Sequence, residues 1–554
     1  MLNFIIGRNN SGKTEKIRAL IAERASENKK CILIVPEQFS FESERSILEK
    51  IGAQKMLNVD ILSFTRLAFV INEQYGKALN KTIDDGTRKV LMSLSLEALS
   101  GKLEYFKRFS SKPALLSNLL TFVTELKQCA VTPDEIAEIS GKTGNKSLGK
   151  KLSELSLIAA SYDALVSRSF FDDENLLTIA ADMISESDFF DGKAVYFDAF
   201  CGFTKQERNC IKSILPKAEN VFISLCTDRD LSREGVSVFE NVNSEFSHLR
   251  ECAAEQNVGV SSPEILNVKE DGRSPELVYL EKYLCGEESE PYKEECDNIV
   301  VCAAGNRADE ADFVACEIKK LLRCNPTLRC RNIAVIERTA GTYDKELSES
   351  FKKYGVPMFE DKRRPIGIQP VMVFVKCLLA LCAEGFSTES FMRLLKTGLT
   401  ALSGDEISEL ENYAFLWNID GSKWRRDFTE NPDGLGFDVT EKSQEKLIRL
   451  NDIRKRSVLP VLAFKKDFEE ADGEKKSRLI YEFLIKNGVT ERLREKIEYL
   501  VSSGDTVLCE EQDTVWATLM DMLGKMASAI GETVITAKRY SELFNILLSA
   551  VTLG

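Results

Sequence analysis

The residues best suited to chemistry lie at the start of the chain. Gly7-Arg8-Asn9-Asn10-Ser11-Gly12-Lys13-Thr14 matches the phosphate-loop pattern G-x-x-x-x-G-K-[ST] at every fixed position. Glycines at positions 7 and 12 let the backbone turn tightly, so that N–H groups of the loop, with Asn10 and Ser11 in it, face phosphate oxygens. The Lys13 ammonium would reach the β- and γ-phosphates of ATP, and the Thr14 hydroxyl would hold Mg²⁺. The competing reading is a glycine turn with an incidental lysine. It does not account for the apolar strand before the loop and the helical pattern after it.

A hydrolytic site of this kind needs a second acidic strand end to position the metal. "AVYFDAFCGFTKQE" offers one, an apolar strand ending on Asp198. An active motor carries a water-polarising glutamate next, and here that residue is Ala199. A methyl group cannot act as a general base, a role that contributes about 10²–10⁴-fold to rate. Glu207 and Asp191 are near in sequence but are not placed by the same strand end. The parts for binding are present and the expected part for hydrolysis is not. Without the glycine loop, Asp198 would also read as a turn or capping aspartate.

These residues must be held by alternating strands and helices. Leu2–Ile6 is a short apolar run, and Ile17, Leu20, Ile21 and Ala25 recur at helical spacing after the loop. "KCILIV" (30–35) and a run near Val59–Leu62 repeat the strand signal, each with a helix after it. That alternation predicts a parallel sheet. From about Asp84 to Ser187 leucines at spacings of three and four predict a helical insertion. Strands return at "KAVYFDAF" and "ENVFISLCTD", and the charged stretch Pro263–Asp297 reads as a linker. "DNIVVCAAG" and "RNIAVIERT", each followed by a helical stretch, predict a second α/β unit. Beyond about Val371 the chain reads as helical, and its ending on an apolar helix suggests a piece of a longer protein.

Composition narrows the function classes. With 44% apolar and 29% charged residues the chain reads as globular. No apolar run reaches the roughly 18 residues of a membrane span, and the N-terminus lacks the features of a signal peptide. Fifteen scattered cysteines and a single histidine, His248, predict buried thiols in a reducing cytosol rather than disulfides or zinc. A formal net charge of −13 argues against a non-specific DNA coat and requires any DNA contact to be focused or shared with a partner.

In order along the chain, "GRNNSGKT", "ILIVPEQFSFESE", "VDILSFTRLA", "VYFDAFCGFTKQE" and "YGVPMFEDKRRPIGIQPVMVFVKCLLAL" resemble AddB, the B-subunit family of bacterial AddAB helicase–nucleases. That family is related to superfamily 1 helicases of the UvrD and RecB kind. The resemblance implies a P-loop NTPase of α/β class with two RecA-like parallel-sheet domains, each with a mainly helical insertion. On this scheme residues 1–83 and 188–262 form the first RecA-like domain and 84–187 its insertion. Residues 263–297 are a linker, 298–370 begin the second RecA-like domain, and 371–554 are its insertion.

It further implies ATP and Mg²⁺ as cofactors, a heterodimer with an AddA-type subunit that supplies the active motor, and the processing of double-stranded DNA ends for recombinational repair in the bacterial cytoplasm, at the nucleoid. Gly12, Lys13 and Thr14 match the phosphate loop, Asp198 the magnesium aspartate, and Arg338 in "IAVIERT" the γ-phosphate-contacting arginine, whose planar guanidinium can pair two oxygens. A surface arginine at a strand end is the alternative for Arg338. The later helicase motifs, the nuclease domain and the cysteines of the family's 4Fe–4S cluster are expected past Gly554. An upstream adenine-contacting glutamine segment is not expected.

For DNA contact, Phe39, Phe41, Phe64 and Arg66 follow the second and third strands, and rings there could stack on bases for about 1–3 kcal/mol each. Core packing is the alternative for each ring. Lys362, Arg363 and Arg364 in "DKRRP" and the "KWRR" cluster (423–426) could contact phosphate or face solvent. Three rival functions differ in what they require. An autonomous helicase must hydrolyse ATP, a scaffold with a vestigial site must not bind it, and a small-molecule kinase fits poorly with the second α/β unit.

Overall fold

Apolar runs become strands only where a neighbour takes up their backbone N–H and C=O groups. Five apolar runs and one exposed dipeptide do so among the described residues. β1 (Leu2–Gly7), β2 (Cys31–Ile34), β3 (Val59–Leu62), β4 (Ala194–Phe197), β5 (Asn220–Cys226) and β6 (Glu264–Ile265) form one sheet in the order β3-β2-β4-β5-β1-β6. Every pairing in it is parallel. The computed structural model describes all residues except 77–82, 108–111, 170–172, 229–237, 268–272, 285–289, 340, 360–363, 505 and 554.

Parallel sheets are covered on both faces, which is why β2 and β4 are apolar and buried at all four positions. Ile17, Ile21 and Ala25 of helix Lys13–Ser26 pack against Ile5, Leu33 and Tyr196 on one face. Helices Phe64–Tyr75, Asp173–Glu186, Lys205–Ile214 and Glu240–Glu255 cover the other face, against Phe4, Ile32, Phe197 and Ile223. Alternate residues of β1 thus serve opposite layers, as the twofold side-chain repeat of a strand requires.

The stretch read as a helical insertion is helical, but its helices divide between two cores. Asp173–Glu186 joins the sheet layer through Leu176, Ala180 and Ile184. Asp85–Ala98, Pro113–Gln128 and Lys146–Ser169 pack instead with helices between Pro370 and Ala550 in one continuous apolar cluster. The stretch read as a linker contains β6 and helix Pro275–Leu284. Two residues suffice for β6 because β1 offers an open edge, a circumstance composition does not record.

The second α/β unit is only partly assembled among the described residues. Helices Arg307–Cys324 and Asp344–Tyr354 form and pack through Ala315, Ile318 and Phe351. The runs 298–303 and 333–337 carry no strand pairing, with Val301 93% and Ile336 90% exposed. The other sheet is antiparallel and two-stranded, Arg364–Pro365 against Thr552–Leu553. The described residues therefore contain one parallel sheet, because an apolar run without a neighbouring edge does not become a ladder. No helix among them is long and apolar enough to cross a membrane.

Candidate functional site

The site lies at the C-terminal edge of the parallel sheet, where strand ends leave room for a ligand. β1 ends at Gly7 and the next helix begins at Lys13, so Arg8 to Gly12 form the intervening loop. Gly12 caps that helix with φ +86°, a conformation L-residues rarely adopt. Gly7 is required for space: a Cβ there would fall 2.3 Å from Ser11 Oγ and 2.9 Å from the Leu266 carbonyl oxygen. Asn10 also has positive φ, +59°, tolerated by its short polar side chain.

The Lys13 ammonium donates to the carbonyl oxygens of Gly7 and Arg8, both at 2.8 Å. Ser11 is 3% exposed, and its buried Oγ has no hydrogen-bond partner. An orphaned hydroxyl inside a loop of N–H donors at a helix N-terminus fits a bound phosphate, whose oxygens would accept from it. Thr14 lies in the first turn of the same helix and is half-buried.

Asp198 follows β4 and is buried, its N–H donating to the Ile34 carbonyl of β2 at 3.1 Å. β5 separates β4 from β1, so Asp198 and Gly7 sit at the same sheet edge, about two strand spacings or 10 Å apart. The Ser224 hydroxyl of β5 donates to Asp198 Oδ1 at 2.5 Å. One carboxylate oxygen is thereby held, and no hydrogen bond to the other is seen among the described residues. Ala199 has φ +65°, in the left-handed region. Glu207 is not free to replace the missing base. Its carboxylate accepts from the Thr204 N–H at 2.7 Å in a capping box that starts helix Lys205–Ile214.

The other predicted residues separate. Phe64 is 6% exposed and packs against Phe197, Phe200 and Phe203 at centroid distances of 5.9, 5.5 and 6.1 Å. Its faces are taken up by the core, which corrects the reading of it as a stacking ring. Phe39 and Phe41 are 37% and 78% exposed, and Arg66 is exposed on helix Phe64–Tyr75. Arg338 is exposed in a bend just past the run 333–337, and no hydrogen bond or ion pair joins it to the loop among the described residues. Arg363 lies outside the described residues, and the backbone of Arg364 pairs with Leu553. Trp424 of "KWRR" is fully buried, its Nε1 donating to Thr388 Oγ1 at 2.8 Å, whereas Arg425 and Arg426 are exposed.

Sequence reasoning missed Ser224 and the pair Arg8–Asp228, an ion pair at 2.8 Å. Both contacts join residues far apart in the chain, and only the β1–β5 and β4–β5 registers bring them together.

Comparison with known proteins identifies the family. A family model described as "ADDB, N-terminal" matches residues 4–281, half of the chain. The B subunit of the "ATP-dependent helicase/deoxyribonuclease" of Acetivibrio thermocellus is 29% identical, over 100% of this chain and 49% of the relative. The proteins of the same name from Clostridium acetobutylicum and Clostridioides difficile are 29% and 28% identical over the same shares. The chain thus spans about half the length of the curated relatives it matches. By its sheet, its glycine loop and this match, the chain belongs to the AddB family through that family's N-terminal region.

Proposed function

We propose that this chain is the ATP- and DNA-binding, helicase-like portion of the B subunit of a heterodimeric helicase–nuclease, with little or no ATP hydrolysis of its own. The complex, with an AddA-type subunit as active motor, would process double-strand DNA ends for recombinational repair. The observation that carries the reading is the pairing of a complete phosphate loop with an acidic strand end followed by Ala199.

The chain's own residues bind and orient. Lys13 exchanges two loop carbonyls for phosphate oxygens, and Ser11 and the loop N–H groups supply further donors. Bound Mg²⁺ would supply charge neutralisation between the phosphates, with Thr14 and the free oxygen of Asp198 as its protein ligands. No carboxylate sits at position 199 to take a proton from water, so bound nucleotide is held longer than it is cleaved. Exposed Phe39 and Arg66 beyond β2 and β3 are the residues proposed to meet single-stranded DNA.

Calorimetry with ATP and Mg²⁺, beside single-turnover hydrolysis with single-stranded DNA, tests this. Binding lost in Lys13→Ala together with slow turnover is the expected result. No binding to the wild type would favour a scaffold. Fast turnover abolished by Lys13→Ala would make the chain a motor in its own right.

A further inference from the structure

We propose that Arg8 is a positioning residue for the phosphate loop, its buried guanidinium fixing the backbone that is to receive phosphate. The proposal rests on the nucleotide-binding reading above. Position 8 is a variable position of the loop pattern, and nothing in that pattern requires a charge there. Yet Arg8 is 7% exposed, and its guanidinium forms an ion pair with Asp228 at 2.8 Å. The Phe239 ring lies 6.0 Å from Arg8 Cζ.

The two anchors belong to different elements. Asp228 lies two residues past Cys226, the β5 residue in register with Gly7, so the ion pair closes the ends of β1 and β5. Thr227, fully buried, donates to Asn243 Oδ1 at 2.5 Å and ties that turn to helix Glu240–Glu255, which Phe239 caps. Arg8 is therefore held by a strand end and by a helix N-terminus.

What this side chain holds still is its own carbonyl, and that carbonyl organises the loop. It accepts from the Ser11 N–H at 3.3 Å and from the Lys13 ammonium at 2.8 Å. The first turn of the loop and the parked position of its lysine thus share one acceptor, placed by an ion pair that is buried on the Arg8 side and half-buried at Asp228. Removing the carboxylate leaves the buried Arg8 guanidinium without its ion-pair partner, and removing the guanidinium frees the loop backbone it anchors. Loss of either partner should then loosen the loop itself.

The test uses the full chain with Arg8→Ala, Arg8→Lys, Asp228→Asn and the double variant Arg8→Ala/Asp228→Asn. Amide hydrogen exchange is followed across residues 8–13, and ATP–Mg²⁺ affinity is measured by calorimetry. Arg8→Ala should speed exchange in the loop while helix Glu441–Glu470 is unchanged, and weaken ATP by about tenfold or more. Arg8→Lys, which keeps the charge and loses the fork, should fall between, and covers the case in which Arg8→Ala does not fold. Asp228→Asn should reproduce most of the effect, and the double variant should be no worse than Arg8→Ala alone. Wild-type loop exchange in Arg8→Ala or Arg8→Lys, or single effects that simply add, would overturn the proposal. If the wild type binds no ATP, the functional reading fails, and the exchange comparison still decides the role of Arg8.

Discussion

Ala199 is informative at the scale of one residue because its identity and its backbone point the same way. At φ +65° an L-side chain is strained, by about 1–2 kcal/mol in the left-handed region. Restoring the motor glutamate therefore adds a longer side chain where the backbone does not favour one. Ala199→Glu should leave single-turnover ATP hydrolysis slow, and Ala199→Gly should be as stable as wild type in denaturant unfolding or more so, by up to about 1 kcal/mol. A fast Ala199→Glu variant would show that only the carboxylate was missing. Ser224 makes a second prediction at this scale. Its hydroxyl steadies the Asp198 carboxylate, so Ser224→Ala should weaken ATP several-fold in Mg²⁺ and have little effect in excess chelator. Equal weakening in both conditions would place Ser224 outside the metal's supporting contacts.

At the scale of elements, helix ends carry the testable energetics. Lys476 is fully buried, its ammonium donating to the carbonyls of Phe468 and Ala471 at the end of helix Glu441–Glu470, 5.0 Å from the Phe468 ring. A lysine at that end satisfies carbonyls the helix cannot pair itself. Lys476→Met should cost about 1–3 kcal/mol in denaturant unfolding, and a neutral result would remove this capping role.

The start of helix Asp85–Ala98 makes a pH prediction. Burial works to raise the Asp84 carboxyl, but the Lys525 ammonium at 2.6 Å and the Thr87 donors outweigh it and hold the carboxyl below its ordinary value. A carboxyl depressed in the folded state stabilises above its unfolded value, and that contribution is lost as pH falls through the lower folded value. The melting-temperature gap between wild type and Asp84→Asn should therefore close as pH drops below about 4. Asparagine keeps the helix cap, so a gap that persists at low pH would trace to something other than the charge.

At the scale of the molecule, the helices after Asp85 and those after Pro370 share one core although strands β4 to β6 and the second α/β helices lie between them in sequence. Arg539 pairs with Glu97 at 2.9 Å and Lys525 reaches Asp84, so polar contacts run along the same junction. A protease site inserted in the exposed stretch 290–297 should yield two fragments that co-elute on size exclusion and separate only in denaturant. Fragments that part under native conditions would mean the shared core is too weak to hold them.

Local pattern in the sequence carried the central results because local physics decides them. A glycine loop between an apolar run and a helical repeat can be read residue by residue, and so can the alanine after Asp198. The burial of Phe64 and Trp424 was not legible, since an aromatic residue after a strand looks the same whether its neighbours are bases or other phenylalanines. The unpaired runs at 298–303 and 333–337 have strand-like composition, but a strand exists only with an edge beside it. Ser224 over Asp198, Asp228 against Arg8, and one core spanning both helical stretches all depend on sheet register and long-range packing. Those are set by the sum of many weak contacts between distant segments, and no short window of sequence contains that sum.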